Sequence, residues 1–88
     1  MKQFAFEVKD ALGLHARPAG LLVREAQKFE SEITLTLERS GKSASLKKLL
    51  GVMGLGVKGG DTVTVRVEGK DEQSAVETVE KWMGEHLG

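Results

Sequence analysis

The chain holds two histidines, His15 and His86, and no cysteine, so nucleophilic or metal chemistry has few places to reside. His15 stands in the run Gly13-Leu14-His15-Ala16-Arg17-Pro18. From there Ala19, Leu22, Val23 and Ala26 recur at i, i+3, i+4 and i+7, one face of a helix. Pro18 falls in the first turn, where its missing N–H costs nothing. The spacing therefore predicts His15 at a helix N-terminus. Amides there lack partners, disfavour an imidazolium and favour an anion. Arg17, two residues on, adds a fixed cation suited to phosphate oxygens. A neutral imidazole that becomes an anion on taking up a phosphoryl group suits this position; a helix cap or an exposed loop histidine is the plainer alternative.

Other chemistries find less support. Gly54-Leu55-Gly56-Val57-Lys58-Gly59 has the G-x-G-x-x-G spacing, but a nucleotide loop needs a strand before it and a helix after it. Here a short helical pattern precedes and a valine-rich strand follows, so the glycines read as a connecting loop. Two histidines without paired spacing make no metal site, and no G-x-S-x-G elbow is present. Neither a metal nor a cofactor is expected. Thirteen basic against thirteen acidic residues leave no net charge for counterion-driven nucleic-acid binding, and three Phe with one Trp make no stacking platform.

The elements that must position His15 follow from periodicity. Phe4, Phe6 and Val8 alternate with Ala5 and Glu7 as a strand, and Ile33, Leu35 and Leu37 form a second. Arg39-Ser40-Gly41 reads as a hairpin turn into a short strand over Lys42–Ala44. Ser45 is placed to cap a short helix beginning at Leu46. Val63, Val65 and Val67 give the clearest strand, and Ala75, Val76, Val79 and Met83 mark a closing amphipathic helix from Asp71. The order β-α-β-β-α-β-α predicts an α+β open-faced sandwich, a four-stranded antiparallel sheet with helices on one face. Eighty-eight residues suffice for one domain, 1–88, and not for two. Lacking cysteines, an apolar leader or a membrane-length run, the chain reads as soluble and cytoplasmic.

These segments resemble the HPr family, the histidine-containing phosphocarriers of the bacterial phosphoenolpyruvate-dependent sugar phosphotransferase system. "GLHARPAG" is similar to the family's active-site signature, and "SEITLT", "GKSAS", "LGVMGLGVKGGDTVTV" and "EGKDEQSAVETVEKW" follow in family order. The resemblance implies a carrier rather than an enzyme. Phosphorylated enzyme I passes its group to His15, on Nδ1, and the group moves on to IIA domains of sugar permeases. It assigns Arg17 to steady the phosphohistidine, with the Ala16 and Arg17 amides adding to the anion site. Partners meet Ala16, Gly20, Arg24, Lys28, Lys47, Lys48, Leu49, Leu50 and Met53.

An apolar patch rimmed by cations suits an acidic partner with an apolar centre, although Leu49 and Leu50 could equally fill the core. One departure stands out. Many members carry a regulatory serine where this chain has Lys48, so serine regulation is not expected. The alternatives are the nitrogen-regulatory paralogue, with the same histidine chemistry, and an interaction module that carries no phosphoryl group. No role is expected for His86.

Overall fold

Val63, Val65 and Val67 are fully buried and lie on a strand that is paired on both sides. The computed structural model describes residues 1–88 in the order β1 (Lys2–Glu7), α1 (Ala16–Ala26), β2 (Glu32–Leu37), β3 (Ser43–Ser45), α2 (Leu49–Gly54), β4 (Thr62–Glu68) and α3 (Glu72–His86). The sheet order is β1-β4-β2-β3, antiparallel throughout. Register follows from the period of two. Leu35 and Phe4 both sit opposite Val65, Leu37 and Phe6 opposite Val63, and Ile33 opposite Val67, which places the apolar set on one face.

The other face carries the polar partners Thr34, Thr36, Thr64 and Arg66 and takes no helix. This is the four-stranded open-faced α+β sandwich that the sequence order predicts.

Helix α1 buries Ala19, Leu22, Val23 and Ala26, and α3 buries Ala75, Val79, Trp82 and Met83. Full burial of Leu22 or Val23 is worth about 1.5–3 kcal/mol. Together with Leu14, Leu46, Val52, Val57 and Leu87, these residues join the sheet in one core cluster. Trp82 stacks on His86, with ring centroids 4.3 Å apart.

The β3–α2 region differs from expectation. The strand is Ser43–Ser45 rather than Lys42–Ala44, and α2 begins at Leu49, preceded by Lys48. Ser45 is therefore no helix cap. Its Oγ accepts the Lys47 amide at 3.2 Å and tightens a turn. Leu46 explains the shift, since it is fully buried and donates its amide to the Ile33 carbonyl at 2.8 Å. A core anchor and a sheet bond at Leu46 leave no room for a helical first turn there.

Two carboxylates staple the loops. Asp71, just before α3, accepts the amides of Glu30 and Ser31 at 2.9 Å each, as well as the Ser31 hydroxyl. The Ser31 hydroxyl, then the Glu30 amide, hold its carboxyl below the usual range. Asp61 is lowered to about 2, first by the Arg39 guanidinium and then by the Lys58 amide. A lowered folded-state pKa stabilises the fold above the ordinary carboxylate pKa, and this contribution disappears as pH falls through the folded value. We expect the thermal midpoint to drop between about pH 4 and pH 2, with a shallower drop in Asp71→Asn, followed by circular dichroism. An unchanged slope in that variant would contradict the role assigned to Asp71.

Candidate functional site

The loop from Val8 to His15 is fixed mainly by backbone bonds. Val8 and the next loop exchange bonds, Val8 N–H to the Asp61 carbonyl at 2.9 Å and Gly60 N–H to the Val8 carbonyl at 2.7 Å. The Leu87 carbonyl accepts both the Lys9 and Asp10 amides, at 2.8 and 3.2 Å. Asp10 Oδ1 takes the Leu12 amide at 2.9 Å, and the Asp10 carbonyl takes the Gly13 amide at 2.9 Å. Gly13 has φ +68°, and a Cβ there would lie 2.4 Å from the Val57 carbonyl oxygen. Only glycine fits both demands. Leu14 then buries its side chain and donates its amide to Val57 O at 3.1 Å.

His15 follows as the residue capping α1. Its backbone is extended, with φ −85° and ψ −177°, and its carbonyl accepts the Ala19 amide at 2.9 Å. Its side chain makes no capping hydrogen bond, so the plain capping role does not hold. The half-buried imidazole is free of the helix end it stands on. The first intrahelical bond starts at Ala19 and Pro18 has no N–H, so the Ala16 and Arg17 amides are the ones aimed out of the helix.

Along the exposed side of α1, Arg17, Gly20, Leu21 and Arg24 line a shallow depression of about 390 Å³. Apart from its chain neighbours and the backbone of its own helix, nothing lies within 4 Å of the space that a Cβ on Gly20 would occupy. Arg17 and Arg24 have no ion-pair partner, whereas Lys28 pairs with Glu25 at 3.0 Å.

Helix α2 packs against α1 and β3. It turns Val52 inward and leaves Leu50 88% exposed, with Leu49 and Met53 exposed beside it. Lys48 is exposed and unpaired. Lys47 differs, because its ammonium donates to the Phe29 carbonyl at 2.5 Å and its own carbonyl accepts Gln27 Nε2 at 3.0 Å. Its charge is held by a carbonyl of the turn that follows α1 rather than left free at the surface.

Two exposed leucines escaped the sequence reading. Leu12, in the loop leading to His15, is 72% exposed, and Leu21 lines the depression on α1. Leu21 gave one available signal, lying one position off the apolar stripe of its helix. No group of three or more His, Cys, Asp or Glu side chains converges anywhere in the chain.

The arrangement defines a class, that of small open-faced α+β sandwiches presenting a histidine at the start of the first helix. The family model for the PTS HPr component phosphorylation site matches residues 2–85. The chain is 38% identical over 86 residues to the phosphocarrier protein HPr of Mycoplasma pneumoniae, covering 98% of this chain and 97% of that protein. It is similar to the solved structure of a Mycoplasma histidine-containing phosphocarrier protein, with TM-score 0.90 and 34% identity over 96% of this chain and 93% of that one. HPr from Bacillus anthracis matches with TM-score 0.84 and 33% identity, over 92% and 94% of the two chains. The chain belongs to the HPr family, the phosphocarriers of the phosphotransferase system in sugar transport.

Proposed function

We propose that this chain is one phosphocarrier domain over residues 1–88, working in the cytoplasm between phosphorylated enzyme I and the IIA domains of sugar permeases. The Nδ1 lone pair of His15 attacks phosphorus, the bond from phosphorus to the donor breaks, and the phosphoryl group leaves on His15. The reverse sequence of bond changes hands it to IIA. The observation carrying this reading is a capping histidine whose ring bonds to nothing in its own helix, beside two outward amides and an unpaired Arg17.

The group gains negative charge where amide dipoles and a guanidinium favour it, and a phosphoramidate bond is labile enough to be passed on. The chain supplies the acceptor atom while its partners supply and remove the group, so we regard it as a carrier and not an enzyme.

Arg24, Lys28 and Lys48 with Gly20, Leu49, Leu50 and Met53 form the partner surface in this reading, and Leu12 and Leu21 extend it. Lys47, tied to α1, contributes by holding α2 in place. Lys48 offers no hydroxyl where many relatives carry a regulated serine, which favours a carrier outside serine control.

The test is incubation with phosphoenolpyruvate, magnesium and enzyme I, followed by intact mass and transfer to a purified IIA domain. One acid-labile phosphoryl group passed to a sugar IIA supports the proposal. Transfer to a nitrogen-pathway IIA alone would assign the chain to that paralogue, and no uptake from active enzyme I would overturn the carrier reading. Charge reversal in Arg24→Glu should slow uptake about five- to tenfold at low salt, with the difference shrinking as salt screens the surface. Equal rates at low salt would remove Arg24 from the partner surface.

A further inference from the structure

Asp61 is a hub between three loops. Its Oδ2 accepts the Lys58 amide at 2.8 Å and Arg39 Nη2–H at 3.0 Å, while Oδ1 accepts Arg39 Nε–H at 3.1 Å. Its backbone carbonyl accepts the Val8 amide at 2.9 Å. Arg39 comes from the turn between β2 and β3, and its Nη2 also reaches the Gly56 carbonyl at 3.4 Å. An isolated surface ion pair usually contributes little. This one is bidentate, its carboxylate side is only 14% exposed, and it fixes a segment to which another segment is bonded.

The segment held by this pair, residues 56–61, lies directly against the His15 loop. Val57 O accepts the Leu14 amide at 3.1 Å, and the Gly13 backbone is seated against Val57 and Lys58 too closely for a side chain. A continuous series of bonds thus runs from Arg39 to Asp61, along 57–58, to Leu14 and so to His15. The same segment begins two residues after α2 ends at Gly54, which ties the seat of His15 to the helix carrying Leu50 and Met53. Neither Arg39 nor Asp61 lies on α1 or α2.

We infer that Arg39 and Asp61 are positioning residues for phosphoryl transfer: the pair fixes the 56–61 loop, and that loop sets the direction in which the His15 ring leaves the start of α1. The inference deepens the phosphocarrier reading of His15 and rests on it. An in-line transfer is sensitive to placement of the acceptor, and a misplacement of about 1 Å can cost up to about a hundredfold. Loss of the pair loosens one support among several, so a smaller effect is expected.

The experiment compares Arg39→Gln, Asp61→Asn, their double variant and Arg39→Lys. It measures steady-state phosphorylation by enzyme I, NMR shifts of the Gly13 and Leu14 amides and the His15 ring in the unphosphorylated protein, and the urea midpoint. We expect each single variant to lower kcat about tenfold with KM unchanged and to move the shifts at 13–15. The double variant should be no worse than either single one, because the two residues act as a unit, and Arg39→Lys should recover part of the rate.

A raised KM in Arg39→Gln but not in Asp61→Asn would make Arg39 a partner contact and overturn the proposal. Unmoved shifts and normal kcat with a lower urea midpoint would overturn it too, leaving the pair a purely stabilising role. A wild-type chain that takes up no phosphoryl group overturns the carrier reading and the transfer role with it. The NMR shifts then still report whether the pair holds the His15 loop, so the two failures are told apart.

Discussion

His15→Ala is expected to take up no acid-labile phosphoryl group while keeping its fold. The variant removes the acceptor nitrogen and nothing else of consequence, since the His15 side chain makes no hydrogen bond to the helix it precedes. The backbone work at this position survives the substitution, because it is the carbonyl that accepts the Ala19 amide. The outward amides of Ala16 and Arg17 also remain, so any residual labelling would have to come from another nucleophile. His86 is the only other imidazole, and it lies at the far end of α3, with Nδ1 beside the Trp82 carbonyl at 2.9 Å and its ring stacked on the indole. Intact mass before and after acid treatment, with His86→Ala alongside, decides the matter. Loss of uptake in the His86 variant, with His15→Ala still labelled, would move the acceptor to the C-terminal end of α3.

Gly13→Ala carries the largest expected effect on stability, about 3 kcal/mol. Left-handed backbone at a residue with a Cβ costs about 1–2 kcal/mol, and forcing an atom into occupied space costs about 1–3 kcal/mol. Both apply at Gly13, where φ is +68° and the new atom meets a carbonyl oxygen and the Lys58 backbone, neither of which can rotate away. Gly41→Ala separates the two contributions, because φ is +74° there but the space around it is open. It should lose only the conformational part, about 1 kcal/mol. Urea unfolding of both variants checks the comparison. Equal losses would mean that the approach of residues 57 and 58 to the His15 loop is looser than the structure shows. Displacement of the loop should also slow phosphoryl uptake in the Gly13 variant, and not in the Gly41 variant.

The contrast between what could and could not be read from the chain is physical. Helix α1 was legible in its start and its buried face, since its four apolar positions at helical spacing all face the core, and Pro18, three residues after His15, marks the first turn. Strands β2 and β4 were legible because one face is buried and the other is not. The segment from Ser45 to Leu50 was not. There Leu46, Leu49 and Leu50 look alike, yet burial separates them: a backbone bond to Ile33 fixes Leu46 in the core, and α2 starts too late to bury the other two.

The partner surface was therefore named with its inward or outward direction unresolved. Lys47 was unreadable for a related reason. A lysine near a basic patch resembles its neighbours until the tertiary fold brings the Phe29 carbonyl, in the turn after α1, within reach. Trp82 and Leu87 joined the core without having been singled out, although Trp82 lies on the same stripe as Ala75 and Val79, and Leu87 follows just beyond the helix.

The strand order also governs the timing of assembly. β2 and β3 are joined by a short turn and can pair as soon as both exist, because closing a short loop is entropically cheap. β1 must instead wait for β4, which completes the middle of the sheet and pairs Lys2 with Val67 at one end and Glu7 with Thr62 at the other. Most of the sheet is thus made of contacts distant along the chain, which places folding toward the slow side for a protein of this size. On a ribosome, the first strand has no partner until residues 62–68 have emerged. The segment ending in His15 then acquires its floor only in the last act of synthesis, so the carrier is either wholly formed or not yet a carrier at all.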